Sequence, residues 1–188
     1  MRKLIVSEFV TLDGVMEGPG GEGDHPHAGW VFDFFGPEQE KYKLDETLEA
    51  DILLLGRVTY DGFADAWPQR SGAFANKMNV MRKYVASKQV RGLKWNNSKL
   101  LDGKVPEAVS DLKQSDGGPI LVAGSRTLVH ALMKHDLVDE YRLMVHPVVV
   151  GGGMRLFPDN GAKTVLKLVD AQAFSTGVVV YTYHPADS

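Results

Sequence analysis

Two stretches of one design constrain this chain most. "ILLLGRVTYDGF" (52–63) and "ILVAGSRTLVHAL" (120–132) each run an apolar segment into a glycine, pass a polar residue or two, and continue with helical spacing. An apolar run without alternation is the pattern of a strand buried on both faces, which arises where helices cover both sides of a parallel sheet. Building strand–glycine–helix twice directs the chain towards alternating β and α units.

The rest of the sequence extends that alternation. Leu4 to Leu12 reads as a strand closing on Asp13-Gly14, a turn dipeptide. "GPGGEGDHPHAG" (18–29) is a long loop, in keeping with a lid or a binding loop. Pro37 is placed to open a helix, and "PEQEKYKLDETLEA" has acidic residues early and good helix formers throughout. Arg57 to Ala66 suits a short helix stopped before Pro68. "KYVAS", "SKLL" and "PILVA" read as strands, "VPEAVSDLKQ" and "SRTLVHALMKH" as helices. From Val138 the character changes: "VDEYRLMVHPVVV", "KTVLKLVDAQAF" and "GVVVYTY" are strands without intervening helices, which predicts antiparallel pairing. The expected architecture is one α/β domain over 1–188. It has three layers: a mixed, mainly parallel sheet, helices on both faces, and an antiparallel C-terminal strand pair.

Composition narrows the function. A net charge of -3 does not draw the chain to nucleic acid or to an anionic membrane. The absence of cysteine excludes disulfides, thiolate metal sites and cysteine nucleophiles together. The opening "MRKLIVSEFV" breaks at Ser7 and Glu8, too early for a signal peptide or a span, so the expected location is the cytoplasm.

A helix that begins at the carboxyl end of a parallel strand aims free backbone N–H groups and its positive dipole end at the sheet edge, which suits phosphate. Glycine there lets a ligand approach the backbone closely. The candidates are Gly56-Arg57-Val58-Thr59 and Gly124-Ser125-Arg126-Thr127. Converging on one crevice, they would hold the two phosphates of a dinucleotide; apart, they are ordinary packing turns. Neither matches G-x-G-x-x-G, and a P-loop lysine is missing.

"TLDG", "ILLLGRVTYDGF", "KYVASK", "ILVAGSRTLV" and "DEYRLMVHPVVVGGGMRLF" occur in that order. Together they resemble the C-terminal reductase domain of bacterial bifunctional riboflavin-biosynthesis deaminase–reductases, and most nearly its stand-alone single-domain members. That family has a dihydrofolate-reductase-like fold. The resemblance covers nearly the whole chain and implies NADPH as cofactor and a homodimer. It implies that Gly56, Arg57 and Thr59 receive the dinucleotide's phosphates, and that Ser87 and Lys88 lie near its adenosine end. Gly124, Ser125, Arg126, Thr127 and Leu128 would then run from the pyrophosphate towards the nicotinamide ribose. Arg57, Ser87 and Lys88, with Arg91 as a further cation, supply the charge and hydroxyl that a 2′-phosphate needs; the alternative is that the lysine and Arg91 are solvated surface cations.

Hydride transfer asks little of side chains beyond holding the ring, excluding water and supplying a proton. On the substrate side, Asp13 is the candidate for a polar contact or proton relay, and equally a turn former. Trp30 and Phe32 are candidate walls for a planar ring, or core residues. His25 and His27 lack a third well-spaced ligand, so no metal is expected; His27 is an alternative substrate donor. Dihydrofolate reductases place one carboxylate on the first helix. Here Glu38, Glu40, Asp45, Glu46 and Glu49 compete without an apolar frame to single one out, which argues for a solvated face and against folate. The chain carries no zinc-deaminase signature. The expectation is an NADPH-dependent reductase of a small pterin-, flavin- or ribosylaminopyrimidine-like substrate. The alternative is a nucleotide- or flavin-binding module without turnover, serving as a sensor or interaction protein.

Overall fold

In a computed structural model that describes residues 1–89 and 92–186, the uniformly apolar strands lie inside the sheet. The chain runs β1 (Leu4–Thr11), α1 (Pro37–Glu49), β2 (Ile52–Gly56), α2 (Arg57–Ala66), α3 (Ala73–Val80), β3 (Arg82–Ala86) and β4 (Ser98–Leu100). It continues with α4 (Val105–Gln114), β5 (Ile120–Val122), α5 (Arg126–Lys134), β6 (Glu140–His146), β7 (Leu166–Ala173) and β8 (Val179–Pro185). The strands form a single sheet of order β4-β3-β2-β5-β1-β6-β8-β7. β4 through β6 pair parallel, and β8 runs antiparallel to both β6 and β7. The C-terminal run is therefore antiparallel only from β8 outward, because β6 pairs parallel with β1, Thr11 opposite His146.

All five residues of β2 are buried, as its unbroken apolar run requires. Alternate residues feed the two layers. Leu4, Val6, Leu54 and Val122 pack against Val109 of α4 and Leu128, Val129 and Leu132 of α5. Ile5, Leu53, Leu55 and Leu121 pack on the other face against Tyr60 of α2 and Met78 of α3. Nearer the antiparallel edge, Met144, Phe174 and Val180 meet Phe9, Phe34 and Tyr42 of α1. The fold is the three-layer α/β arrangement that the alternation predicts.

The sequence reading passed over α3 and the 3-10 turns at Trp30–Phe34 and Trp67–Gln69. All are short, and their apolar residues show no sustained helical stripe. Among the described residues, no helix is long and apolar enough to cross a membrane.

One buried cation braces the start of β3. Lys83 is inaccessible to solvent and donates to the carbonyls of Asn79 (3.1 Å), Met81 (2.8 Å) and Asn96 (3.0 Å). Its Nζ lies 4.1 Å from the centre of the Trp95 ring. Burial pushes its pKa down to about 8. Lys83→Met should cost about 1–3 kcal/mol, since buried carbonyls lose their donor. Between pH 8 and the ordinary lysine range the unfolded chain holds this proton more firmly than the folded one. Raising the pH through that window therefore favours the native state, and urea melts should show the gap between wild type and Lys83→Met widening there.

Candidate functional site

β2 and β5 are adjacent and parallel, with Leu54 opposite Val122. From these neighbouring ends α2 leaves towards one face and α5 towards the other, which opens a crevice at the carboxyl edge of the sheet. The two turns touch: the Gly56 N–H donates to the Gly124 carbonyl at 3.1 Å. The contact leaves no room for side chains. A Cβ on Gly56 would lie 2.1 Å from Ser125 Oγ and 3.0 Å from its backbone nitrogen, and one on Gly124 would lie 2.8 Å from Thr59 Oγ1. Gly124 also sits at φ +85°, and its peptide bond to Ser125 is cis. No side chain caps the start of either helix. Two sets of unpaired amides and two positive dipole ends thus share one crevice.

The predicted residues distribute unevenly around it. Arg57 Nε donates to both carboxylate oxygens of Asp61 at 2.9 Å, which orients the guanidinium. Its Nη1 is buried without a partner. Ala86 is opposite Gly56 in register, so Ser87 and the exposed Lys88 follow at the same edge. Ser87 Oγ accepts the Gln89 N–H at 3.0 Å in its own turn. Arg91 lies outside the described residues. Ser125 faces Gly56, while Arg126 and Thr127 open α5, half-buried and exposed respectively. Leu128 differs from the rest: its side chain is in the core, leaving only its backbone N–H for the edge.

Glu8 is the residue that sequence reasoning missed. It lies buried on β1, and the Gly124 N–H donates to its Oε1 at 2.6 Å. Burial pushes its pKa up to about 8, against the opposing effects of that hydrogen bond and of Lys43. The visible signal was an acidic residue interrupting an otherwise apolar strand.

On the substrate side, Asp13 is engaged by its own chain. Its carboxylate accepts Thr11 Oγ1 (2.6 Å), Gly151 N–H (2.9 Å) and Val150 N–H (3.3 Å), and these bonds hold its pKa below the usual value. It ties the "VVVGGG" segment to the end of β1. Trp30 is buried, donates from Nε1 to the Glu17 carbonyl at 2.9 Å, and meets the His146 ring edge-on at 5.0 Å. Phe32 is 62% exposed rather than a wall, because the 3-10 turn points it outward; Phe9 and Phe34 take that place around His146. His25 bonds to the Gly152 carbonyl at 2.8 Å, and His27 is exposed. Among the described residues, no three His, Asp or Glu side chains converge on a metal-sized site.

The first-helix carboxylates also need correction. Glu38, Glu40, Asp45 and Glu49 are exposed, but Glu46 is buried. It accepts a hydrogen bond from Ser7 Oγ at 2.9 Å and pairs with Lys43, with Arg142 at 3.7 Å. Sequence periodicity could not single it out, since its partners come from β1 and β6. It faces mid-strand, away from the carboxyl edge.

Comparison with known proteins follows the same outline. The sequence matches the RibD C-terminal domain across residues 2–180. The Bacillus subtilis protein YyaP is 32% identical over 192 residues, covering 97% of this chain and 95% of that protein. A pyrimidine reductase-like protein of Corynebacterium diphtheriae superposes with a TM-score of 0.73 at 11% identity, covering 100% of this chain and 93% of the other. The deaminase/5-amino-6-(5-phosphoribosylamino)uracil reductase of Thermotoga maritima superposes at 0.66 and 14% identity, over 98% of this chain and 57% of that one.

Proposed function

The chain belongs to the RibD C-terminal domain family, with its dihydrofolate-reductase-like fold, and from that premise we propose that it is an NADPH-dependent reductase of a small heterocyclic substrate. The observation that carries the reading is the contact between Gly56 and Gly124, which brings two uncapped helix starts to one crevice. The residues present fit the dinucleotide. Amides at Arg57 and Thr59 and at Ser125, Arg126, Thr127 and Leu128 suit its diphosphate, with Gly56 and Gly124 admitting the close approach. The buried, unpartnered Arg57 Nη1 is a donor in need of an anion. Ser87 and Lys88, beside Gly56 at the edge, suit the 2′-phosphate. When bound, the cofactor supplies the hydride.

The chain's own residues do the remainder. Asp13 positions the segment after β6, and Trp30 walls the substrate side. Glu8 holds a proton on Oε2 at neutral pH, since Oε1 accepts the Gly124 N–H; Asp13, held ionised, does not. That the structurally similar Thermotoga protein is named a 5-amino-6-(5-phosphoribosylamino)uracil reductase supports a pyrimidine- or pterin-like substrate. A homodimer accords with β7, an edge strand whose Leu168 and Val169, next to Val165, are exposed apolar residues. Light scattering on the purified chain tests it.

Fluorescence titration at low salt tests the cofactor. NADPH should bind saturably, and Arg57→Met should weaken it by about 10- to 100-fold, the worth of a charge-assisted hydrogen bond or two. Ser87→Ala and Lys88→Ala should erode the preference for NADPH over NADH. No binding by the wild-type chain sinks the reading. Binding without NADPH oxidation across pterins, flavins and ribosylated pyrimidines favours the nucleotide-binding module instead.

A further inference from the structure

Charge is spread unevenly over this chain. Residues 82–104 hold seven of its 21 lysines and arginines but only one of its 24 aspartates and glutamates. That is a net +6 in a protein of net charge -3, which leaves -9 for everything else. The segment comprises β3, β4 and the turns around them, and β4 is the end strand of the sheet, so the excess lies on one flank. Lys83 is the buried brace of β3, and Arg91 lies outside the described residues. Arg82, Lys88, Lys94, Lys99 and Lys104 are exposed, and none of them takes part in a described salt bridge. Asp102 and Glu107 are the acidic residues nearest in the chain after β4. With both counted, the stretch 82–107 still carries +5.

This flank adjoins the crevice. Ala86 of β3 stands opposite Gly56, and Lys99 of β4 opposite Tyr84. At about 4.8 Å per strand and 3.3 Å per residue, the backbone of Lys99 is on the order of 12 Å from Gly56. Lys104, at the start of α4, stands at the same carboxyl edge. Such distances exceed a hydrogen bond but lie within an electrostatic field, whose screening length is about 30 Å at 10 mM salt. The opposite sign lies across the sheet. α1 has five carboxylates against two lysines, and its Lys43 reaches Ser7 of β1. β1 is four strands from β4, about 20 Å by the same spacing. The crevice between β2 and β5 is therefore set between a positive flank and a negative helix.

We propose that Arg82, Lys94, Lys99 and Lys104 form a steering surface that draws the phosphate-bearing cofactor into the crevice and orients it before contact. This rests on the reductase reading and adds residues that speed arrival without touching the bound molecule. NADPH carries its diphosphate in the middle and a further phosphate at the adenosine end, so its charge is lopsided. The field turns that end towards Ser87 and Lys88. A low-dielectric wall with clustered charge of one sign raises the rate of encounter in this way. Lysine on a short edge strand also discourages pairing with another chain. Lys99 serves that purpose within β4, which leaves the charge in the adjoining turns to be explained.

Stopped-flow fluorescence of NADPH mixed with the full chain tests the surface in three proteins. They are wild type, Lys94→Gln/Lys99→Gln/Lys104→Gln, and Lys134→Gln/Lys163→Gln/Lys167→Gln. The last removes equal charge from exposed lysines of α5, of β7 and of the segment before it, so only the location of the charge differs. At about 10 mM salt the flank variant should associate about 3- to 10-fold more slowly than wild type, and the distal variant within about twofold of it. At about 1 M salt, where screening acts within about 3 Å, the three rates should converge. Dissociation should be equal throughout, because these charges act on the approach. NADH, which lacks the extra phosphate, should respond less to salt and to the flank charges. Equal slowing in both triple variants assigns the effect to net charge and overturns the surface. An unchanged association rate in the flank variant overturns it too, as does faster dissociation, which would make those lysines contacts. NADPH that binds wild type at a salt-independent rate overturns steering and leaves the cofactor site standing. Absence of binding overturns the reductase reading beneath it.

Discussion

Gly56→Ala is expected to weaken NADPH binding by at least about 100-fold and to destabilise the fold by about 1–3 kcal/mol, the cost of inserting a methyl into close-packed structure. The backbone at Gly56 is ordinary, with φ -73°, so the effect is steric. Ser125 Oγ, 2.1 Å from the new Cβ, can rotate away. The Ser125 Cβ at 2.9 Å and backbone nitrogen at 3.0 Å cannot, unless the start of α5 moves. That movement separates the paired helix starts, which is the geometry the diphosphate requires. Gly62, inside α2 with nothing within 4 Å of its added Cβ, provides the control. Gly62→Ala should gain about 0.5–1 kcal/mol from reduced backbone freedom and leave binding untouched. Thermal melts and NADPH titrations of both variants check the pair. Wild-type affinity in Gly56→Ala would falsify the proposed site.

Glu8→Gln should produce the second large change, on stability and on the pH dependence of cofactor binding. The native carboxyl titrates near 8 and the unfolded one near 4.5. Between those values the folded chain keeps a proton that the unfolded chain releases, so native stability falls as pH rises through the window. Each unit of difference is worth about 1.4 kcal/mol. The amide mimics the neutral acid: its oxygen can accept the Gly124 N–H, but it does not titrate. The variant should match wild type near pH 4.5 and exceed its stability by about 3–5 kcal/mol at pH 8. Denaturant melts at pH 4.5, 6 and 8 measure this, and parallel pH profiles in the two proteins would show that Glu8 is ionised throughout. Ionisation above pH 8 also sets a carboxylate beside the diphosphate crevice, so NADPH binding to wild type should weaken there and binding to the variant should not.

Much of this architecture was legible in local pattern. "DILLL" and "PILVA" announced buried parallel strands because they are apolar without alternation. Pro37 and Pro68 marked a helix start and a helix stop, and α2 spans Arg57–Ala66 as its spacing predicts. The pairing of the two glycine junctions was legible only as a possibility, strengthened by the ordered set of motifs. Other features were hidden. Leu128 belongs to a junction by position, yet its side chain serves the core because α5 turns that face inward. Glu46 looks like its acidic neighbours along α1 until Ser7, Lys43 and Arg142 surround it.

Local spacing thus determined the elements: which segments are strands buried on both sides, where helices begin, and that glycine stands at both junctions. These follow from contacts within a few residues, which a periodicity can express. Tertiary structure alone decided what the elements bring together. Glu8 and Gly124 are 116 residues apart in the chain and joined by one hydrogen bond. The raised pKa of Glu8, the room denied to a Cβ at Gly56, and the partnerless Nη1 of Arg57 all depend on desolvation and exclusion by distant neighbours. Those quantities arise only when the layers close.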